Sequence, residues 1–454
     1  GGLDSANFFN QDFTSLHTFT YRKVNALRFK SSFKRFWNKK SKTNFTGFIR
    51  DNAIGQNPHY RVKDDYKPWT GTGNPLLAHG EENVNSFKSY GLVVQHQQKF
   101  DFLKTNWITG ASVDFSPNSY EASYISIDKS TDGIYTGYNE TDSLLANYDV
   151  GILNTSAYTQ VQVSPTERLK VVGAVRFDRI DYNYDNHLDS TAFSGAPDEK
   201  NHFEQFTPKI GVTYDFGKNV GAYANYSVGF SPPDVTELYR GVTVPTLQPS
   251  QYNNYEVGGW LSLWQNKVFV DLSVYQLDGV NEIISVLQDD GSTEKENAGQ
   301  TQHRGIEYTV KINPIKDVSV RFSGANAQHV FLDYVEKGTD YRGNFMATAP
   351  QFIGNAEVIY KPRFVDGLRV AVEWQHVGAY FLDAANTEEY PGYHLINLRL
   401  GYRFKGFDIW LNTLNLTDEL YATVASKSAW GKSYRIGNPR SFNVGVAYTF
   451  KGKK

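Results

Sequence analysis

"NPRSFNVGVAYTF" occupies residues 438–450, just ahead of a final "KGKK". Its apolar residues fall on every second position: Phe442, Val444, Val446, Tyr448 and Phe450. Between them stand Asn443, Gly445, Ala447 and Thr449, all small or polar. A period of two is that of a β-strand, whose side chains alternate between two faces. One face of this strand is apolar and the other is polar or small, and the alternation runs to an aromatic last position.

The pattern recurs along the chain. In 208–216, Pro208, Ile210, Val212, Tyr214 and Phe216 alternate with Lys209, Gly211, Thr213 and Asp215. In 169–178, Leu169, Val171, Gly173, Val175 and Phe177 alternate with Lys170, Val172, Ala174, Arg176 and Asp178. In 305–312, Ile306, Tyr308, Val310 and Ile312 alternate with Gly305, Glu307, Thr309 and Lys311. The spacing predicts seventeen strands, at 25–36, 43–51, 86–101, 104–117, 150–164, 167–183, 204–216, 219–230, 251–264, 267–284, 298–313, 317–333, 347–361, 367–383, 391–404, 406–416 and 437–450. Many exceed the ~5–6 residues usual in soluble sheets. They reach the ~9–11 residues that a tilted strand needs to cross a bilayer.

Short turns, at 38–42, 101–104, 164–167, 217–219, 264–267, 313–317, 361–367 and 405–407, alternate with long polar connections such as 118–149, 184–203 and 231–250. Short turns at one rim and long loops at the other are the arrangement of an outer-membrane barrel. Lipid offers no hydrogen bonds, so a spanning sheet must close on itself. The expected fold is therefore all-β, a transmembrane antiparallel β-barrel. A soluble propeller would show shorter strands and a repeat of about 40–50 residues, and none is visible.

Composition agrees. The 454 residues are 15% aromatic but only 40% hydrophobic, and mean hydropathy is −0.49, as expected when a wide lumen is polar. The net charge of −2 gives no global preference for nucleic acid. No cysteine is present, which excludes disulfide and thiolate chemistry. No long apolar run reads as a helical span, and "GGLDSANFFN" does not read as a signal peptide.

Several segments resemble TonB-dependent outer-membrane receptors. "NAGQTQHRGIEYTVKINP" (297–314) is similar to their Asn-Ala-Gly…Arg-Gly-Ile-Glu strand. "YANYSVGFSPPDVTELY" (223–239) and "LQPSQYNNYEVG" (247–258) resemble a further pair of boxes, and "NLTDELY" (415–421) with "GNPRSFNVGVAYTF" (437–450) resembles the closing hairpin. "FIRDNAIGQNPHYRV" (48–62) is similar to the siderophore branch. Ser250 stands where the family has Glu, and four residues follow Phe450 where the family ends on the aromatic.

The resemblance implies a barrel of about 22 strands with a plugged lumen, closed by docking of the last strand on the first. Residues 1–454 then read as the barrel portion, with the plug, the energy-coupling box and the first strands absent. It implies localisation in the bacterial outer membrane as a multi-pass barrel. It implies active transport of a scarce solute, foremost a ferric siderophore. The partners would be the TonB–ExbB–ExbD complex acting through the plug, the outer-membrane lipid and the ferric chelate. Cobalamin, another metal chelate or an oligosaccharide are alternative solutes, and a passive porin or adhesin is the alternative class. No enzyme is expected, since neither a nucleophile elbow nor a phosphate-binding loop occurs. No resident cofactor or metal site is expected. The ten His show no ligand spacing, and 231–250 lacks the His that haem receptors of the family carry.

Candidate site residues follow from position. "RKVNALRFKSSFKRFWNKKSK" (22–42) has nine basic residues and no acid. Alternation puts Arg28, Lys30 and Lys34 on one face and Leu27, Phe29 and Phe33 on the other. The first face is expected in the lumen, together with Arg176, Asp178, Arg304 and Glu307. There the basic residues either pair with plug carboxylates or form a field that attracts an anionic chelate. At the outer mouth, Tyr120, Tyr124, Tyr135 and Tyr138 are expected to cover a chelate's organic periphery or to pack within their own loop. Arg61 and Arg240 are expected to offset its charge.

Overall fold

The computed structural model describes residues 2–58, 61–191, 194–241, 244–287, 293–336, 338–428 and 431–450. His59 and the tail 451–454 lie outside them. The chain is all-β, with 71% of residues in strands and 3% in helices. Among the described residues its main sheet has eighteen strands, of which one is the two-residue Lys63–Asp64. The seventeen long ones are β1 (Tyr21–Asn38), β2 (Ser41–Asn57), β3 (Leu77–Lys99), β4 (Asn106–Lys129), β5 (Tyr135–Val163), β6 (Leu169–Asn186), β7 (Glu199–Gly217), β8 (Val220–Ser231), β9 (Ser250–Leu263), β10 (Val268–Leu287), β11 (Thr293–Ile315), β12 (Val318–Asp333), β13 (Phe352–Tyr360), β14 (Leu368–Val377), β15 (Tyr393–Phe404), β16 (Phe407–Leu414) and β17 (Ser441–Tyr448). Each pairs antiparallel with the next, so the sheet is one continuous meander.

The expected docking of last strand on first is absent among the described residues. β1 pairs only with β2, and β17 only with β16. By parity β1 and β17 point the same way, so the two edges of this meander face each other in parallel orientation, unlike every pairing within it.

The register joins the predicted apolar positions into one face. Phe33, Phe45, Val94, Ala111, Ala157, Phe177 and Phe206 are successive cross-strand partners. Further round, Ile312, Val320, Val358, Val372 and Leu398 form another such row. This face is bare: Val444 is 73% exposed and Phe206 62%. A continuous exposed apolar face of this extent calls for a hydrophobic surrounding.

Boundaries differ where the chain leaves the apolar band. The stretch 118–149, expected as a loop, is two strand extensions, with β4 running to Lys129 and β5 beginning at Tyr135. One face of these extensions is covered by the chain itself, with Ile125 and Ile127 buried against Ala78, Phe19 and Val62, so pairing continues beyond the bare apolar band. The last connection holds an unexpected hairpin, Ala422–Ser428 with Gly431–Ile436. A short helix, Val235–Tyr239, interrupts 231–250; Asp234 and Glu237 cap it reciprocally, side chain to backbone, at 2.8 and 2.9 Å.

Candidate functional site

The face opposite the apolar one carries most of the expected lumen residues. Lys34, Asn44, Gln95, Gly110, Tyr158, Arg176 and Thr207 form one row across it. Arg28, Lys30, Asp178 and Glu307 share this polar face by their even spacing from row members and by cross-strand register. Arg304 does not, which corrects the expectation. Three positions separate it from Glu307 and no bulge intervenes, so it shares the face of Ile306 and Tyr308. Its neighbours explain its tolerance: Arg304 Nε donates to Gln328 Oε1 at 3.0 Å, and Gln276 lies directly opposite on β10. With Gln302 and Asp278 they make a polar rim beyond the adjacent, mutually tilted rings of Tyr226 and Tyr255, the order of residues found at a membrane interface.

The charges of the polar face divide into two kinds. On β12–β15 they are paired. Glu373, 6% exposed, accepts from Arg399 Nη2 at 2.7 Å and from the Nδ2 atoms of Asn355 and Asn397 at 3.1 Å each. Glu357 lies 3.7 Å from Arg321 and 3.6 Å from Arg399. Arg176 and Asp178 make a two-point pair on β6 at 2.7 and 2.8 Å. On β1 and β2, by contrast, Arg28 stands directly opposite Arg50, with Lys30 and Lys34 on the same face. Among the described residues no carboxylate lies in ion-pair range of these four. Lys34 and Arg50 sit instead near the rings of Phe36 and Phe48.

At the long-connection end, residues 232–241 and 244–249 fold over the polar face. Leu238 and Tyr239 of its helix are buried against Val150, Ile180, Tyr182 and Tyr184. A ladder of rings runs from Tyr120 through Tyr148 and Tyr184 to Tyr239, with centroids 5.3, 5.2 and 4.3 Å apart. Burial pushes the Tyr239 phenol well above its usual pKa, so it remains a neutral donor, to Asn201 Oδ1 at 2.6 Å. Arg240 follows at the helix C-cap, exposed.

The four expected mouth tyrosines are not brought together. Tyr120 and Tyr124 lie on the polar face, where Tyr124 is opposite Glu81 and stacks on His79 at 5.9 Å. Arg61 Nε reaches the same Glu81 at 3.4 Å. Tyr138 is opposite Ile127 on the other face and donates to Glu82 at 2.6 Å. Tyr135 donates to Asp64 at 2.9 Å and stacks on His17. Both flank the fully buried Ile125 and Ile127, beneath Phe19 and Val62. The geometry thus gathers Arg61 and Tyr124 at one point and links Tyr120 through the ring ladder to Tyr239, with Arg240 next to it in sequence. Sequence reading missed Tyr148, Tyr184 and Tyr239; for the first two, period-two placement on the polar phase of their strands was the available signal, whereas Tyr239 lies in the short helix and gave none. No group of three metal-ligating side chains occurs among the described residues.

Comparison with known proteins fits this geometry. The chain is 24% identical over 303 residues to the ferrioxamine B receptor of Salmonella typhimurium, covering 65% of this chain and 40% of that one. It is 22% identical over 299 residues to the metal-pseudopaline receptor CntO of Pseudomonas aeruginosa, covering 64% and 40%. The chain thus spans about two fifths of these relatives. Among solved structures, the siderophore receptor PiuA of Acinetobacter baumannii superposes with a TM-score of 0.74 at 15% identity, over 94% of this chain and 65% of that one. The unliganded ferric citrate transporter FecA gives 0.74 at 16%, over 97% and 64%. Residues 1–424 match the family described as "TonB dependent receptor-like, beta-barrel", and the chain belongs to that family.

Proposed function

We propose that this chain is the barrel portion of an outer-membrane receptor that imports a ferric chelate with energy delivered through TonB. Family membership and the all-β architecture together imply an outer-membrane β-barrel. The apolar face meets lipid in this reading, and the polar face lines the lumen of a bacterial multi-pass barrel of about 22 strands. A plug in that lumen carries the contact to TonB and its ExbB–ExbD complex.

The observation that carries the substrate class is the cationic stripe of Arg28, Arg50, Lys30 and Lys34. Like charges directly opposite on a sheet destabilise it. They persist where an anion offsets them, and a focused positive field raises the local concentration of anionic solutes. The outer mouth is built from the Arg61–Glu81–Tyr124 group and the ring ladder ending at Tyr239, with Arg240 next to it in sequence. Rigid aromatic rings cover organic surface at small entropic cost. Tyr135 and Tyr138 belong to the scaffold of that mouth. The name of the relative CntO motivates a second reading, in which the cargo is a chelate of another metal.

Uptake of radiolabelled ferric hydroxamate, catecholate and citrate chelates by a deletion strain carrying the full-length gene tests the reading. Expected is uptake of one class that stops when the proton-motive complex is deleted. Uptake of a different solute under the same energy requirement would replace the substrate but keep the transporter. Uptake without energy coupling would establish a porin instead.

A further inference from the structure

His303 on β11 and His329 on β12 are direct cross-strand partners on the polar face, both half-buried. Their Nδ1 atoms lie 2.7 Å apart. Two ring nitrogens at that distance must share a positive centre, since two lone pairs repel. On the other side of its ring, His303 Nε2 lies 3.2 Å from Thr301 Oγ1. The Thr301 hydroxyl donates in turn to Glu282 Oε1.

This chain of contacts fixes the hydrogens. A carboxylate only accepts, so the single Thr301 proton points at Glu282. The Thr301 oxygen is left to accept, and His303 Nε2 must carry the ring hydrogen. His303 Nδ1 is then a lone pair directed at His329. Ligating histidines in metal sites are held in this way, with the remote N–H donated toward an oxygen that ends on a carboxylate.

We propose that His303 and His329 bind a divalent transition-metal ion, Cu²⁺, Ni²⁺ or Zn²⁺, through their two Nδ1 atoms. Thr301 and Glu282 are positioning residues that hold His303 in its ligating tautomer. Without metal, the Nδ1–H of His329 fills the gap. On metal binding that proton passes through water to His329 Nε2, and no net proton is released while both rings are neutral. Metal–nitrogen bonds of about 2.0–2.1 Å set the two nitrogens about 2.9 Å apart at a square-planar angle and about 3.4 Å apart at a tetrahedral one, so the rings part by about 0.2–0.7 Å. Imidazole favours these borderline ions, Cu²⁺ most strongly, over the hard ions that oxygen ligands take. Two protein ligands leave the remaining positions to water or to an organic chelator. The site stands whether or not the transported cargo is ferric.

The test uses the full-length protein in detergent, stripped of metal and titrated with CuCl₂. A His376→Ala background removes the other directly opposed pair, His376 and His394, so that the signal reports one site. Expected are one Cu²⁺ per chain and a frozen-solution EPR spectrum coupled to two nitrogens. His303→Ala and His329→Asn should each remove one nitrogen coupling and weaken binding by about tenfold or more. Glu282→Gln should weaken it by about 10–100-fold while two nitrogens remain, and Thr301→Ser should retain wild-type binding. Heat-modifiable migration of each variant confirms that the barrel is intact. An unchanged nitrogen count and affinity in both histidine variants would overturn the proposal, as would the absence of nitrogen coupling in the parent protein.

Discussion

On β12–β15 every charge of the polar face has found an opposite charge or an amide, and Glu373 alone accepts three hydrogen bonds. On β1 and β2 two arginines face each other and two lysines stand beside them, with no acid in range among the described residues. Both regions belong to the same sheet and the same face. The paired region lies inside the sheet, where neighbours on both sides supply partners. In the unpaired region β1 is exposed along its whole length, while β2 is flanked on both sides and sets Arg50 between Arg28 and Ser89. Register thus brings opposite charges together in one region and like charges together in the other.

The contrast depends on which face meets lipid, and the largest effect tests that. Val310→Arg places a charge on the apolar face and should destabilise the inserted protein by up to about 4 kcal/mol. Urea unfolding in lipid vesicles measures it, and an unchanged midpoint would reverse the two faces. Next comes the paired region itself. Glu373→Ala strands Arg399 and two asparagines and should cost about 3 kcal/mol, the low end for a broken buried pair because Arg399 is 44% exposed. A loss below about 1 kcal/mol would show the network to be screened like a surface pair.

The unpaired region should behave oppositely. Arg28→Ala combined with Arg50→Ala should leave stability within about 1 kcal/mol, or raise it slightly, since like charges are removed. The same double variant should slow uptake of an anionic ferric chelate about tenfold at low ionic strength, and less as salt screens the field. Lost stability with normal uptake would make the stripe structural. The smallest effect lies in the outer loops. Hydrogen bonds from Lys427 and Lys432 hold the Glu388 carboxyl below its usual pKa. At Asp383 burial acts upward but is outweighed by the hydrogen bonds from Thr387 and Lys427. Both pKa values are depressed on folding, so this stabilisation is full above the ordinary carboxylate range and fades as pH falls through the lowered values. Hydrogen exchange in 422–436 should therefore quicken only below about pH 4. Protection that falls instead between pH 6 and 7 would implicate a histidine.

The seventeen strands, their faces and the two classes of connection were legible because lipid imposes a strict period of two on one side of the sheet. Val444, Val310 and Phe33 could be assigned to the apolar face by counting alone. The count also carries its own check: Arg304 and Glu307 are an odd number of positions apart, so no unbroken strand can present both on one face. Legibility stopped where the band stopped. In 118–149 the chain continues as paired strands although hydropathy no longer alternates. Tyr124 and Tyr138 look alike in sequence yet fall on opposite faces, because irregular pairing between β4 and β5, at 122–125, intervenes.

By itself the sequence determined the fold class, the register of each strand's apolar phase and the family, since all three rest on spacings along one strand or on the order of short segments. Only the tertiary structure decided which residues stand opposite one another. It set Arg28 against Arg50, drew Tyr120 into a ladder with residues from β5, β6 and a distant helix, and joined His303 to His329 across 26 positions. Cross-strand partners depend on where each turn reverses the chain, and turn positions outside the membrane are free of the periodic constraint that made the strands readable.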